Sequence, residues 1–153
     1  MSSEHLETVR AYWAASTKGD WAAAGRCVGP GYTWIDHGAG VVARSPEELR
    51  AATADAEAWS NVRFDIQNAF ETRDGAIVVQ AVQSGTLSGP WCSMETRGQQ
   101  VTFPLCTIFK FDADGRIVFE EAYYDMSAIM RQLGYGPSTR SGAGGISWAP
   151  GDG

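Results

Sequence analysis

The sequence predicts an α+β fold, and three observations carry the prediction. Apolar residues recur at helical spacing through the first part of the chain. From Val62 onward the pattern changes to alternation. Two Asp-Gly pairs, Asp74-Gly75 and Asp114-Gly115, divide the alternating part into hairpins. An antiparallel sheet of this length, covered by helices on one face, leaves a cleft if it curves strongly.

Taken in order, Ser2 or Ser3 caps a first helix, and Glu4 and Glu7 follow where the helix dipole favours acids. Leu6, Val9 and Trp13 form its apolar stripe, and Lys18-Gly19 ends it. Asp20 caps a second short helix, Trp21 to Val28, which stops at Gly29-Pro30-Gly31. A strand from Tyr32 to Asp36 puts Tyr32, Trp34 and Asp36 on one face, and His37-Gly38 opens a loop. Ser45-Pro46-Glu47-Glu48 joins a capping box to a proline at the first helical position, starting a third helix that runs to about Trp59.

Val62, Phe64, Ile66, Asn68 and Phe70 then alternate, and Ile77 to Leu87 is the partner strand. Gly85 and Pro104 are places within strands where the sheet can bend. Trp91 to Gln99 reads as a loop, Val101 to Phe111 as a strand, and Asp112 to Gly115 as a turn. In the last strand Ile117, Phe119, Glu121, Tyr123 and Asp125 share one face, and Val118, Glu120, Ala122, Tyr124 and Met126 the other. Ile129, Met130 and Leu133 sit at helical spacing before Gly134 stops a closing helix. The folded domain is therefore residues 1–135. Residues 136–153, mostly Gly, Pro, Ser and Ala, read as a tail whose only large apolar groups are Ile146 and Trp148.

Composition narrows the function. A net charge of −6 and the lack of a basic cluster argue against nucleic acid, because phosphate contacts need Lys and Arg. No run is long enough to span a membrane and no apolar signal core opens the chain, which points to the cytoplasm. Three cysteines, Cys27, Cys92 and Cys106, fit neither a zinc pattern nor a disulfide framework, so no metal is expected. Six Trp, five Tyr and six Phe exceed what a small core needs, which favours a pocket for a small hydrophobic ring system. Trp13, Trp34, Trp59, Phe64, Trp91, Met94 and Phe103 are its candidate lining, each of them equally at home in a core. Gln80 and Gln83 lie three apart on one strand, so at most one of them enters the pocket.

Four residues are candidates for chemistry. Asp125 follows two tyrosines at a strand end; it is either a proton carrier kept out of water or the cap of the closing helix. Asp36-His37 ends the first strand, where His37 is able to shuttle a proton or orient an acid, or where the pair simply opens a turn. Tyr123 and Glu121 share the Asp125 face; Tyr123 is a donor for an oxyanion or a core residue, and Glu121 lines the pocket or is solvated.

The run SGTLSGPW, followed by RGQQVTFPLCTIFKFDADGRIVFEEAYYDMSAIMRQLG, resembles the SnoaL-like polyketide cyclases of the nuclear-transport-factor-2-like superfamily. The matching pieces are Gly85-Thr86 to Pro90, Arg97-Gly98 to Val101, Asp114 to Ile117, Tyr124-Asp125 and Gln132 to Gly134. The resemblance covers roughly residues 5–135. It implies a cone-shaped roll, cystatin-like, in which a curved sheet wraps a long helix around a deep apolar pocket, commonly as a homodimer. In those cyclases the aspartate of the Tyr-Asp pair, here Asp125, is the acid/base. The resemblance thus implies cofactor-independent closure of a polyketide-like substrate by an aldol-type step. The same cone also hosts isomerases, dehydratases, epoxide hydrolases and non-catalytic binders. The hydrolase version needs an arginine near its acids, and the sequence puts none beside Asp36 or Asp125.

Overall fold

A computed structural model describes residues 3–52 and 57–135 of the chain. The expected tail, with Ile146 and Trp148, lies outside the described residues, as does the stretch 53–56. Four helices are present among them: α1 (Ser3–Thr17), α2 (Trp21–Cys27), α3 (Pro46–Ala52) and α4 (Met126–Gln132). The strands are β1 (Val28–Asp36), β2 (Val41–Ala43), β3 (Trp59–Glu71), β4 (Ile77–Trp91), β5 (Met94–Phe111) and β6 (Ile117–Tyr124). They form one sheet in the order β2-β1-β6-β5-β4-β3, open between its two edge strands. All neighbours are antiparallel except β1 and β6, which run parallel.

Local chemistry explains most boundaries. The Asp20 side chain accepts from the Ala23 amide and starts α2. Ser45 Oγ accepts from the Glu48 amide while Glu48 accepts from the Arg44 amide, so α3 begins with reciprocal caps. Between β5 and β6, Asp112 Oδ1 accepts from the amides of Asp114 and Arg116, and Gly115 takes the left-handed φ of 74° that closes the turn.

Three expectations give way. Trp59 opens β3 instead of closing the third helix, whose described part ends at Ala52. Gly29-Pro30-Gly31 does not separate α2 from β1, because the strand already starts at Val28, paired with Ile117. The expected loop from Trp91 to Gln99 is a tight hairpin: Cys92 and Ser93, at φ 48° and 62°, turn β4 straight into β5. Two non-glycine residues in left-handed conformation carry none of the usual hairpin signal.

The curvature follows from α1. Its neighbouring residues Tyr12 and Trp13 touch strands near opposite ends of the sheet. Tyr12 meets Tyr32 of β1, while Trp13 stacks on Phe64 of β3 at 4.4 Å and sits edge-on to Phe109 of β5 at 5.6 Å. In a flat sheet β1 and β3 would be about 19 Å apart, four strand spacings. One helix reaches both only because the sheet curls around it. Val9, Ile77, Val79, Val101, Phe109 and Ile117 fill the space between, all of them fully buried.

Bends fall elsewhere than expected. Pairing slips between Ser60 and Arg63, between Ile66 and Asn68, and between Leu87 and Ser88, and not at Gly85 or Pro104. Gly85 has a different job: a Cβ there would sit 2.8 Å from the Trp59 ring and 3.3 Å from the Ser60 carbonyl. Gly85→Ala should therefore cost about 1–3 kcal/mol by overpacking. The expected result is a lower denaturant midpoint with an unchanged slope; an unchanged midpoint would mean that the ring yields freely.

Candidate functional site

The inner face of the sheet is set by register. Trp34 of β1 pairs with Glu120 of β6, and Glu120 with Phe109 of β5. One row further along, Asp36 pairs with Ala122, and Ala122 with Thr107. Tyr32, Trp34 and Asp36 thus share the concave side with Glu120, Ala122 and Tyr124. From Phe119 on the two sets of β6 residues lie on opposite faces, but the enclosed one carries Glu120, and the one carrying Glu121 and Tyr123 looks outward; Ile117, expected on the Glu121 face, lies beyond a pairing slip and is buried in the core.

Among the described residues Glu120 is the deepest acid, with 5% of its surface exposed. Tyr32 donates to one of its oxygens at 3.0 Å, and the Trp13 indole donates to the other at 3.5 Å. The Tyr32 hydroxyl is in turn 2.7 Å from that of Tyr12. Burial pushes the Glu120 carboxyl up to about 7, against the pull of these donors. The nearby Asp36 charge raises it further.

Asp36 lies at the end of β1, part-buried. Its Oδ2 accepts from Tyr124 at 3.1 Å and its Oδ1 from the Ala39 amide at 2.8 Å. Burial raises its pKa, with the backbone and Tyr124 hydrogen bonds opposing. A Cβ at Gly38 would fall inside the Tyr124 ring, so the glycine lets that ring lie against the loop and reach Asp36. From Tyr124 an aromatic wall continues to Phe103 at 5.2 Å, from Phe103 to Trp59 at 6.3 Å, and from Trp59 to Trp91 at 5.4 Å. Trp34, Asp36, Gln83, Trp59, Phe64, Met94 and Tyr124 are only partly buried.

Of the expected lining residues, the seven apolar ones belong to the core or pack against it, and Glu121 does not. Trp13, Trp91 and Phe103 are buried in the core cluster, and Trp34, Trp59, Phe64 and Met94 pack against it. The expected catalytic residues divide. Asp36 turns inward, but Asp125 does not enter the hollow: its side chain is 64% exposed. It caps α4, accepting from the amide and hydroxyl of Ser127 at 2.9 and 2.6 Å, and Arg131 lies 3.9 Å away. Those hydrogen bonds hold its carboxyl below the ordinary range, opposite to the expected rise. Arg131 is a surface residue too, so it brings no arginine to the inner acids.

His37, Glu121 and Tyr123 are likewise outside. They form a cluster on the convex side: Glu121 Oε1 lies 2.7 Å from His37 Nε2 and accepts from the Tyr123 hydroxyl at 2.8 Å, and the His37 and Tyr123 rings stack at 4.4 Å. Of the Tyr123-Tyr124 pair, it is Tyr124 that lies beside an inward acid. Glu120 and Tyr32 are not among the residues that the sequence offers for chemistry. The signal was present: an acid sharing a strand face with Ala122 and Tyr124.

Residues 6–133 match the family model of the SnoaL-like polyketide cyclases, and the chain belongs to that family. Three solved structures show the same fold. A candidate SnoaL-like polyketide cyclase from Jannaschia sp. CCS1 is 24% identical, with a TM-score of 0.75 over 88% of this chain and 94% of that one. A protein with a ketosteroid isomerase-like fold from Catenulispora acidiphila DSM 44928, in complex with trimethylamine, is 24% identical, with a TM-score of 0.70 over 85% and 94%. An LEH-like epoxide hydrolase of M. tuberculosis is 17% identical, with a TM-score of 0.66 over 86% and 90%. A comparison with curated proteins finds none that matches. Among the described residues, no helix is long and apolar enough to cross a membrane.

The buried acid gives a pH signature. Between the ordinary 4.5 and about 7 the folded chain keeps a proton on Glu120 that the unfolded chain has shed. Stability should therefore fall as pH rises through this window, by about 3 kcal/mol in total, and level off above it. Chemical denaturation at pH 5 and pH 8 measures the fall. Glu120→Gln should shrink it to the smaller part that Asp36 contributes. A wild-type stability that stays flat across the window would count against a buried neutral carboxyl.

Proposed function

We propose that this chain is an acid/base enzyme that removes a proton next to a carbonyl on a hydrophobic, ring-bearing substrate of polyketide type, with Asp36 as the base. The observation behind this reading is an inward carboxyl at the rim of an aromatic wall, part-buried and bonded by Tyr124. Burial brings a carboxylate closer to the basicity that carbon deprotonation needs. Burial raises both carboxyls, and it raises the fully buried Glu120 the further, so Glu120 is the one that keeps its proton to higher pH. A neutral second acid spares the base a neighbouring negative charge, as in the known pattern of one ionised and one protonated carboxyl in one site.

In the cyclase version Asp36 takes the proton, and the electron pair of the C–H bond becomes an enolate. The enolate carbon attacks an internal aldehyde or ketone, forming the ring bond. The new alkoxide recovers the proton from Asp36, which returns to carboxylate. Tyr124 is the hydroxyl closest to this exchange and takes the oxyanion role for which the sequence offered His37 or Tyr123. Family membership supports the cyclase version over an isomerase or a dehydratase.

The half-reaction is testable without the natural substrate. Deuterium exchange into the α position of 1-tetralone, followed by NMR at pH 7, reads proton removal directly. The wild type should accelerate exchange. Asp36→Asn should slow it by about 10²–10⁴-fold with the fold intact, and Asp125→Asn should leave it unchanged. Exchange at wild-type rate in Asp36→Asn would remove Asp36 from the mechanism. Binding of the ketone with no acceleration at all would make the chain a ligand carrier.

A further inference from the structure

A hollow of about 700 Å³ lies between α1 and β3, and neither Asp36 nor Glu120 lines it. Its size is that of a small-molecule site. One wall is a single face of α1, on which Arg10, Trp13, Ala14 and Thr17 follow at spacings of three and four. The other wall is β3 from Val62 to Ile66. Two features of β3 shape it. β3 is an edge strand, so no neighbour covers its outer side. Its pairing also slips on both flanks of this segment, between Ser60 and Arg63 and between Ile66 and Asn68. Such slips bend a strand and re-aim its side chains. Arg63 and Asp65 alternate with Phe64 along the strand, yet all three line the one hollow.

The lining is apolar at depth and cationic at the rim. Trp13 is buried, and Phe64, Ile66 and Val82 are half-buried, whereas Arg10 and Arg63 are exposed. Arg10 has one ionic neighbour, Glu7, at 4.0 Å on the open surface, a contact worth little. Among the described residues no group bonds the Arg63 guanidinium. The acid of the lining, Asp65, takes a hydrogen bond from Gln67 at 2.8 Å and pairs with neither arginine. On a chain of net charge −6 this hollow is therefore locally positive. A bare inorganic anion would leave the apolar depth uncovered, and a neutral hydrocarbon would leave the guanidiniums unused. The complement is an apolar body with one acidic head, since the planar fork of arginine matches a carboxylate.

We propose that this hollow is a second ligand site, which takes a hydrophobic carboxylic acid. Arg10 and Arg63 hold the carboxylate, and Trp13, Phe64 and Ile66 meet the apolar body. The site is independent of the role given to Asp36, whose strand lies four places from β3 in the sheet.

The test titrates 2-naphthoate and its neutral counterpart 2-naphthamide into the protein by calorimetry, at pH 8 and low salt. The wild type should bind naphthoate roughly tenfold tighter than the amide, the worth of one hydrogen bond to a charged group. Arg63→Gln should remove most of that preference, and the double variant Arg10→Gln/Arg63→Gln all of it. Both should keep the naphthamide affinity within about twofold and melt as the wild type does, because exposed side chains are being changed. Added salt should weaken naphthoate and leave the amide alone. Asp36→Asn shows where the acid sits. Naphthoate in the hollow should bind that variant as it binds the wild type, whereas naphthoate on the inner wall would gain affinity once the neighbouring negative charge is gone. A wild type without preference overturns the proposal, as does a preference that survives in the double variant or one that rises in Asp36→Asn.

Discussion

A carboxyl group cut off from water ties the two layers of this fold together. Glu120 belongs to β6, but its donors come from β1, through Tyr32, and from α1, through Trp13. Each of those bonds crosses from one element to another, and Tyr12 adds a second link between α1 and β1. Removing any donor would leave part of the acid unsatisfied in an apolar interior, which costs far more than the bond contributes when made. The network therefore specifies where α1 lies across the curl of the sheet. The same helix position brings Trp13 onto Phe64 and closes the concave side.

The second acid depends on that placement. Asp36 is two residues beyond Trp34, the register partner of Glu120 on the adjacent strand, and the two carboxyls sense one another. Their environments differ. Glu120 is sealed on all sides, while Asp36 lies where the wall is partly open. The sealed acid holds the layers in register, and the open one is the base of the proposed reaction. Burial serves both, since it keeps the first neutral and makes the second more basic.

Much of the architecture was legible in the sequence, because periodicity, caps and Asp-Gly turns all act locally. The α1 stripe of Leu6, Val9 and Trp13, the Asp20 cap, the Ser45 capping box and the alternation of β3 all report near-neighbour physics. What failed depended on distant partners. Trp59 looks like the end of a helix until β4 supplies Leu87 and Gly85 beside it. Cys92-Ser93 looks like loop until two long strands force it into a hairpin. The site failed in the same way. On Phe119-Glu120-Glu121-Ala122-Tyr123-Tyr124 both faces carry an acid and aromatic groups, so alternation shows that there are two faces but not which one is enclosed. The deciding contacts, Trp13 and Tyr32 on Glu120, come from residues 107 and 88 positions away.

That separation also bears on how the molecule is made. β1 has no partner on its β6 side until β6 has been synthesised, because the two run parallel and lie far apart in the chain. During synthesis the first third of the protein must wait with Tyr32, Trp34 and the α1 stripe uncovered. Long-range parallel pairing is slow, since the entropy of closing so large a loop is lost before any contact repays it. The last strand among the described residues is thus the one that completes both the sheet and the acid network. A nascent chain stalled short of Ile117 would expose aromatic surface of the kind that chaperones bind.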